Sequence, residues 1–326
     1  MAQDGNAAGA IITVTPNPAV DVTYRLPHAV WGGVNRVDSV TRRAGGKGVN
    51  VACVLAQLGH AAQTTGFLGG ANGQSLSQLL DSYPIEQQWT PIEGETRCTT
   101  VVVDESSTTL LNEPGPRVSG NDWDRISAEI STRCSSGDVV VLSGSFPPGT
   151  QARHVQGFVS AARRAGALIL VDTSGPLLGA AADSGADLLK PNQEELREAT
   201  GIDDVVAGAR SLIARGAGTV AVSCGEEGLV VVTGRGEGVR AWRAAPAEIV
   251  HGNPTGAGDA AVAALALLLQ HVAAGGNLAE IVPDHLRQTV ALSAAAVVAP
   301  VAGVVDLASY ARFLSQVEVE EIHVPL

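Results

Sequence analysis

The sequence predicts an α/β fold: a mostly parallel central sheet with helices on both faces, plus a small β-sheet lid. Three observations lead there. From residue 117 onward, short apolar runs alternate with stretches of helical length, the pattern of strand–helix–strand crossovers. The runs at 139–142 and 168–171 read VVVL and LILV, apolar throughout, as in strands buried on both faces. Ala, Val, Leu and Gly dominate while only 3% of the residues are aromatic, which suits a buried sheet under small-residue helices.

In chain order, residues 11–15 form a buried strand ended by Pro16-Asn17-Pro18. The stretch 21–40 is mixed polar and β-branched around Gly32-Gly33, and predicts short strands and turns. Residues 44–59 open on glycines, run on as an apolar helical stripe and close on Gly59. A strand over 62–68, a helix over 73–80 and a hairpin over 96–104 and 108–111 come next. Then follow helix 121–133, strand 139–142, helix 150–164, strand 168–171, helix 176–183 and strand 187–190. Helices 193–199 and 205–215 lead to strands 219–223 and 229–233, which flank the turn 225–228. The last helices cover 257–274, 284–299 and 306–316. The irregular segments 16–43 and 90–115 break the alternation and are assigned to the lid, inserted in a single domain spanning 1–326.

At 326 residues the chain has room for one large α/β domain. Its net charge of -12 speaks against nucleic-acid partners and an anionic membrane surface. The apolar stretch from 260 to 274 is interrupted by Gln270 and His271, short of the roughly 20 residues that span a bilayer. Cys53, Cys98, Cys134 and Cys224 are widely separated, as expected of free thiols in a reducing cytoplasm. None of the seven histidines has metal-ligand spacing. The opening MAQDGNAAGA reads as a loose tail, not a signal peptide.

Several short motifs each admit two readings. In HGNPTGAGDA (251–260), Asn-Pro disfavours helix, glycines free the backbone, and an apolar helix follows. The free amides of such a helix start make an anion pocket, beside which Asp259 is either a general base or an acid that complements the helix dipole. Gly45-Gly46-Lys47-Gly48-Val49-Asn50 lacks the spacing of a P-loop, yet offers backbone donors, a cation and an amide; it is a ligand cradle or a tight helix packing. Asn192 and Glu195 at the start of a helix suit Mg²⁺ held largely through water, or else form a capping box. Ser143 sits at a strand's carboxyl end, where ligands gather in parallel sheets. Asp21 is a sugar-hydroxyl ligand or a turn residue, and Arg97 a phosphate ligand or a solvated charge.

Taken in order, NPAVD (17–21), AGGKGVNVA (44–52), SGSFPPG (143–149), KPNQEE (190–195), VSCGEEG (222–228) and NPTGAGDA (253–260) closely resemble the ribokinase/PfkB family of carbohydrate kinases, over roughly 11–318. The branch most similar holds 1-phosphofructokinase and tagatose-6-phosphate kinase, where the first signature carries a lysine, as at Lys47. The resemblance implies a three-layer ribokinase-like fold whose β lid serves a homodimer, and transfer of the γ-phosphoryl group of ATP to a sugar hydroxyl with Mg²⁺. It makes Asp259 the base and the amides of Gly256, Ala257 and Gly258 the anion hole. Asp21, Gly45, Gly46, Lys47, Asn50, Arg97 and Ser143 fall to the sugar phosphate, with Lys47 and Arg97 on the phosphate it already carries. Lys190, Asn192, Glu195, Ser223, Gly225 and Gly228 fall to the nucleotide, Asn192 and Glu195 also to the metal, and a monovalent cation near the last helices is a further expectation. Ala260, where many relatives carry Ser, and Pro254 depart from the pattern without removing the base or the donors. A kinase of a free sugar or nucleoside, and a catalytically silent sugar sensor, are the alternatives. A dinucleotide-dependent oxidoreductase is disfavoured because no G-x-G-x-x-G follows the first strand.

Overall fold

A computed structural model describes residues 9–324; the expected tail lies, up to residue 8, outside them. Strands β1 (Ile11–Thr15), β2 (Ala19–Arg25) and β3 (Ser39–Gly45) lead into helix α1 (Lys47–Gln57), and β4 (Ala62–Leu68) into α2 (Gly70–Leu80). Next come β5 (Ile85–Gln87), β6 (Thr90–Pro91), β7 (Arg97–Val103) and β8 (Thr108–Asn112). The alternating part is α3 (Gly120–Arg133), β9 (Val139–Ser143), α4 (Ala152–Ala165), β10 (Leu168–Asp172), α5 (Pro176–Asp183), β11 (Leu188–Leu189), α6 (Gln193–Thr200), α7 (Val205–Arg215) and β12 (Thr219–Ser223). The chain then runs through β13 (Leu229–Thr233), β14 (Arg240–Ala245), α8 (Ala257–Ala273), α9 (Leu278–Val298), α10 (Leu307–Leu314) and β15 (Glu318–Ile322).

The large sheet has the order β15-β14-β13-β12-β11-β10-β9-β1-β4-β5, with β6 beside β4. It is parallel from β5 to β12 and antiparallel from β12 to β15. Because side chains alternate across a strand, its buried residues divide between two cores. Ile11, Val139, Val141, Leu170 and Leu188 pack with α1, α8 and α9, while Ile12, Val140, Leu142, Ile169 and Val171 pack with α3, α4 and α7. A separate four-stranded sheet has the order β3-β2-β7-β8. Thr90–Pro91, in the segment assigned to the lid, pairs instead with Phe67–Leu68 of the large sheet.

Other elements also differ from expectation. β14 and β15 extend the large sheet where the sequence shows no strand pattern, since RAWRAA and EVEEI lack β-branched runs. They are held by antiparallel pairing and by Arg240, whose guanidinium meets both Glu321 oxygens at 2.8 and 2.9 Å. Helix α9 starts at Leu278 rather than 284, because Asn277 caps it and Pro283 is accommodated within its early turns. The four cysteines are free, and no helix among the described residues is long and apolar enough to cross a membrane.

Candidate active site

Parity in the large sheet decides which side chains converge. Two residues beyond Val141, Leu170 and Leu188, at the carboxyl ends of three adjacent strands, stand Ser143, Asp172 and Lys190, so all three face the α1/α8 layer. Asp172, only 1% exposed, lies 3.2 Å from the ammoniums of both Lys47 and Lys190 and accepts a 2.9 Å hydrogen bond from Ser143 Oγ. Burial pushes its pKa up, but the two lysines and Ser143 more than offset this and hold it below the usual carboxylate range. Burial likewise pulls Lys47 down, while Asp172, Asp259 and Glu195 outweigh it and keep the ammonium charged. Asp172 carries no motif signal: its partners lie far away in sequence, and Val-Asp-Thr at a strand end is an unremarked tripeptide.

Two helix entries meet this cluster. Helix α1 begins after Gly46, whose φ of +108° and close approach to Thr15 and Pro18 exclude a side chain. Its first residue is Lys47; Asn50, three positions on, shares that face and donates to Asp259 Oδ2 at 2.7 Å. Helix α8 begins after Gly256, at φ +96°, where a Cβ would lie 2.8 Å from Ala302 Cα. Among the described residues the amides of Gly256, Gly258 and Asp259 donate to nothing, and that of Ala257 makes a 3.2 Å bond to the Pro254 carbonyl. These amides lie at the positive end of a 17-residue helix, a place that favours negative charge, with Lys190 Nζ 3.9 Å from where a Gly258 Cβ would stand. Asp259 is 6% exposed; burial, reinforced by Asp172 and opposed by Asn50, Lys47 and Lys190, pushes its pKa up to about 7. Ala260 is wholly buried, packed within the core.

A cavity of about 520 Å³ opens on the other side of this helix tip. It is lined by Asn192, Ser223, Gly225 and Gly228 with Ala257 and Gly258, and closed by Ile249, Val250, Val290 and Val297. The apolar wall has no counterpart among the sequence motifs, because it comes from the loop before α8 and from one face of α9. Asn192 and Glu195 form a reciprocal capping box, with Glu195 N donating to Asn192 Oδ1 at 2.8 Å and Asn192 N to Glu195 Oε2 at 2.9 Å. One Glu195 oxygen is left uncommitted, and no cluster of three or more metal-ligating side chains occurs among the described residues. That donor set fits a divalent ion held largely through water and phosphate, and does not fit a protein cage.

On the small sheet, Asp21 stands opposite Arg43 of β3 and Thr99 of β7. A Cβ at Gly45 would lie 2.2 Å from its carboxylate, so the glycine is what admits it. Burial raises its pKa against the pull of Thr99, Arg97 and Arg43. Arg97 is turned inward: its Nε donates to the Asn17 carbonyl at 3.1 Å and Nη1 to that of Glu113 at 3.4 Å. Thus Lys47, Asn50, Ser143, Lys190 and Asp259 form one cluster with Asp172. The expected nucleotide residues, apart from Lys190 and Glu195, line the neighbouring cavity, and Asp21, Gly45 and Arg97 stand on the sheet alongside.

The family described as pfkB family carbohydrate kinase matches residues 12–302. A 1-phosphofructokinase of Rhodobacter capsulatus is 38% identical over 263 residues, 78% of this chain and 82% of that protein. A tagatose-6-phosphate kinase of Staphylococcus epidermidis is 31% identical over 269 residues, 80% of this chain and 86% of that protein. Among solved structures, phosphofructokinase-2 of Escherichia coli in complex with potassium superposes with a TM-score of 0.84 at 26% identity, covering 94% of this chain and 98% of that one.

Proposed function

This chain belongs to the pfkB family of carbohydrate kinases and is a sugar-phosphate kinase, and we propose that it moves the γ-phosphoryl group of ATP onto a ketohexose phosphate, fructose 1-phosphate or tagatose 6-phosphate, giving the bisphosphate. The observation that carries this reading is Asp259: a buried carboxyl tuned to about 7, at the tip of a helix where, among the described residues, the amides of Gly256, Gly258 and Asp259 have no acceptor. Phosphoryl transfer asks a protein mainly for in-line positioning and charge stabilisation. Asp259 takes the proton from the attacking hydroxyl, and the amides of Gly256, Ala257 and Gly258 receive the charge that develops on the transferring group.

The acceptor lies between the small sheet and α8, its hydroxyls met by Asp21, Asn50 and the Gly45-Gly46 backbone, with Ser143 beside them. Lys47 keeps N–H donors beyond its Asp172 pair and, with Arg97, meets the phosphate the sugar already carries. The cavity at Asn192, Ser223, Gly225 and Gly228 holds the nucleotide, and Lys190 neutralises its phosphates. Asn192 and Glu195 would hold Mg²⁺ through water, and the ion would supply further neutralisation of phosphate charge there. The Escherichia coli neighbour is in complex with potassium, which supports a monovalent cation as a ligand here, and its place in this reading is near the last helices. The small sheet closes over the acceptor, keeps water from competing with it, and joins two copies of this chain in a cytoplasmic homodimer.

An ADP-release assay over fructose 1-phosphate, tagatose 6-phosphate, fructose 6-phosphate and free hexoses tests the substrate. Turnover of a ketohexose phosphate is expected, with Asp259→Asn lowering it by at least about 10²-fold while ATP binding persists. Near-normal turnover in that variant removes Asp259 from the mechanism. Preference for a free sugar, with Lys47→Ala leaving KM unchanged, makes the enzyme a kinase of unphosphorylated acceptors.

A further inference from the structure

Outside the cluster and the nucleotide cavity, one crevice has an unusual charge pattern for so acidic a chain. About 220 Å³ in volume, it lies between β3, α1 and the end of α2, and is lined by Arg42, Arg43, Ser82 and Tyr83 over the buried residues Asn50 and Cys53. At about 30 Å³ per water it has room for a phosphate group with part of a carbon skeleton. No carboxylate lines it. Among the described residues neither arginine takes part in an ion pair, and the one side-chain hydrogen bond of Arg43 is a 3.4 Å contact from Nη2 to the Tyr83 hydroxyl. The acid opposite Arg43, Asp21, has its carboxylate against Gly45 and shares its charge with Arg97. The thiol of Cys53 is pushed up to about 12 by burial and is no nucleophile.

The other cations near the acceptor cleft already have protein partners for part of their donors. Lys47 and Lys190 hold Asp172, and Arg97 spends its Nε and Nη1 on backbone carbonyls. Arg42 and Arg43 bring planar, always-charged donor forks to a crevice whose lining holds no carboxylate, Asp21 reaching Arg43 only as the charge opposite it on β2, and a tyrosine hydroxyl, a serine hydroxyl and an amide complete the lining. Asn50 is shared: it lines the crevice and binds Asp259.

We infer that the Arg42–Arg43 crevice is a binding site for the phosphate of a phosphate monoester, with Arg43 the principal contact. Its existence stands on these residues alone; whether its occupant is the acceptor's own phosphate or that of a second ligand rests on the kinase reading. Inorganic phosphate is titrated by calorimetry into the wild type and into the Arg42→Gln, Arg43→Gln double variant, each saturated with Mg²⁺ and a non-hydrolysable ATP analogue so that the α8 amides are covered. The site predicts phosphate binding by the wild type, at least tenfold weaker in the double variant and largely retained in Arg43→Lys, with analogue affinity unchanged as the control for folding. If KM for the sugar phosphate rises tenfold or more in the double variant with kcat little altered, the acceptor's phosphate is the occupant. If KM stays the same while phosphate affinity is lost, a separate phosphate monoester is. Equal phosphate affinity in wild type and double variant, or none in either, overturns the site. The titration needs no turnover, so it tests the crevice even where the kinase reading fails.

Discussion

The ionisation of Asp259 links catalysis and stability in opposite directions. Its folded pKa of about 7 lies above the ordinary 3.8, so the neutral acid is the form the fold prefers. The stability this group contributes is therefore complete below about pH 4 and is lost as pH rises through 7. A base must instead be ionised, so kcat/KM for the acceptor should fall about tenfold per pH unit below 7, a limb that a pH–rate profile from 5.5 to 8.5 resolves. In Asp259→Asn the same span should show a stability advantage over wild type that grows with pH up to about 7 and then levels off, read from thermal melts without nucleotide. A flat acid limb and parallel melting curves would mean that Asp259 titrates as an ordinary surface acid. At this scale Asp259, Lys47 and Asn50 were legible because each sits in a motif whose glycines mark a helix entry. Asp172 was not: Lys47 is 125 residues away and Ser143 is 29, so their meeting is a property of the sheet.

The strands that hold Asp172 set a balance among elements. β9, β10 and β11 end side by side, and the register that pairs Val171 with Leu189 also brings Lys190 beside Asp172. Lys190 is 4% exposed, so removing its partner would strand a buried ammonium, whereas Lys47 is half-exposed and recovers water. Breaking one side of a buried pair typically costs about 3–5 kcal/mol, much of it desolvation of the charge left behind. Asp172→Asn is accordingly expected to lose about 3 kcal/mol in urea denaturation, and a second change, Lys190→Met, to restore most of it by removing the orphan charge. A double variant less stable than Asp172→Asn would show the lysine to be content without its acid. The parallel strands of this region were readable as uninterrupted Val, Leu and Ile, buried on both sides. Strands β14 and β15 were not, because antiparallel pairing and Arg–Glu contacts at this side of the sheet leave Trp242, Val319 and Ile322 scattered among charged and small residues.

Across the whole molecule, apolar side chains that remain uncovered gather on and beside the small sheet. Trp31 is 68% exposed and Val34 89%, and Val30, Val37, Val40, Leu110 and Leu111 are exposed with them. Behind Trp31 lies a hollow of about 290 Å³ floored by Tyr24, Leu26 and Val102. Scattered apolar residues on a surface need no explanation, but a run of this kind around one thin sheet marks an interaction site. A four-stranded sheet with a single covered face is also marginal alone, and a second copy packed on the other face would supply the missing layer. The proposed homodimer makes one quantitative demand: sedimentation at micromolar concentration should give twice the 33.2 kDa chain mass. Val34→Asp with Leu111→Asp should shift this to the single-chain mass by placing unpaired charges in the contact. Both residues lie outside the Asp259 cluster, so nucleotide binding at the 520 Å³ cavity should persist in the monomer, while a looser sheet over the acceptor should raise KM for the sugar phosphate several-fold. A wild-type chain that sediments as a monomer at all concentrations would leave the apolar face to close on the acceptor alone, and would remove the dimer from the reading without touching the chemistry at α8.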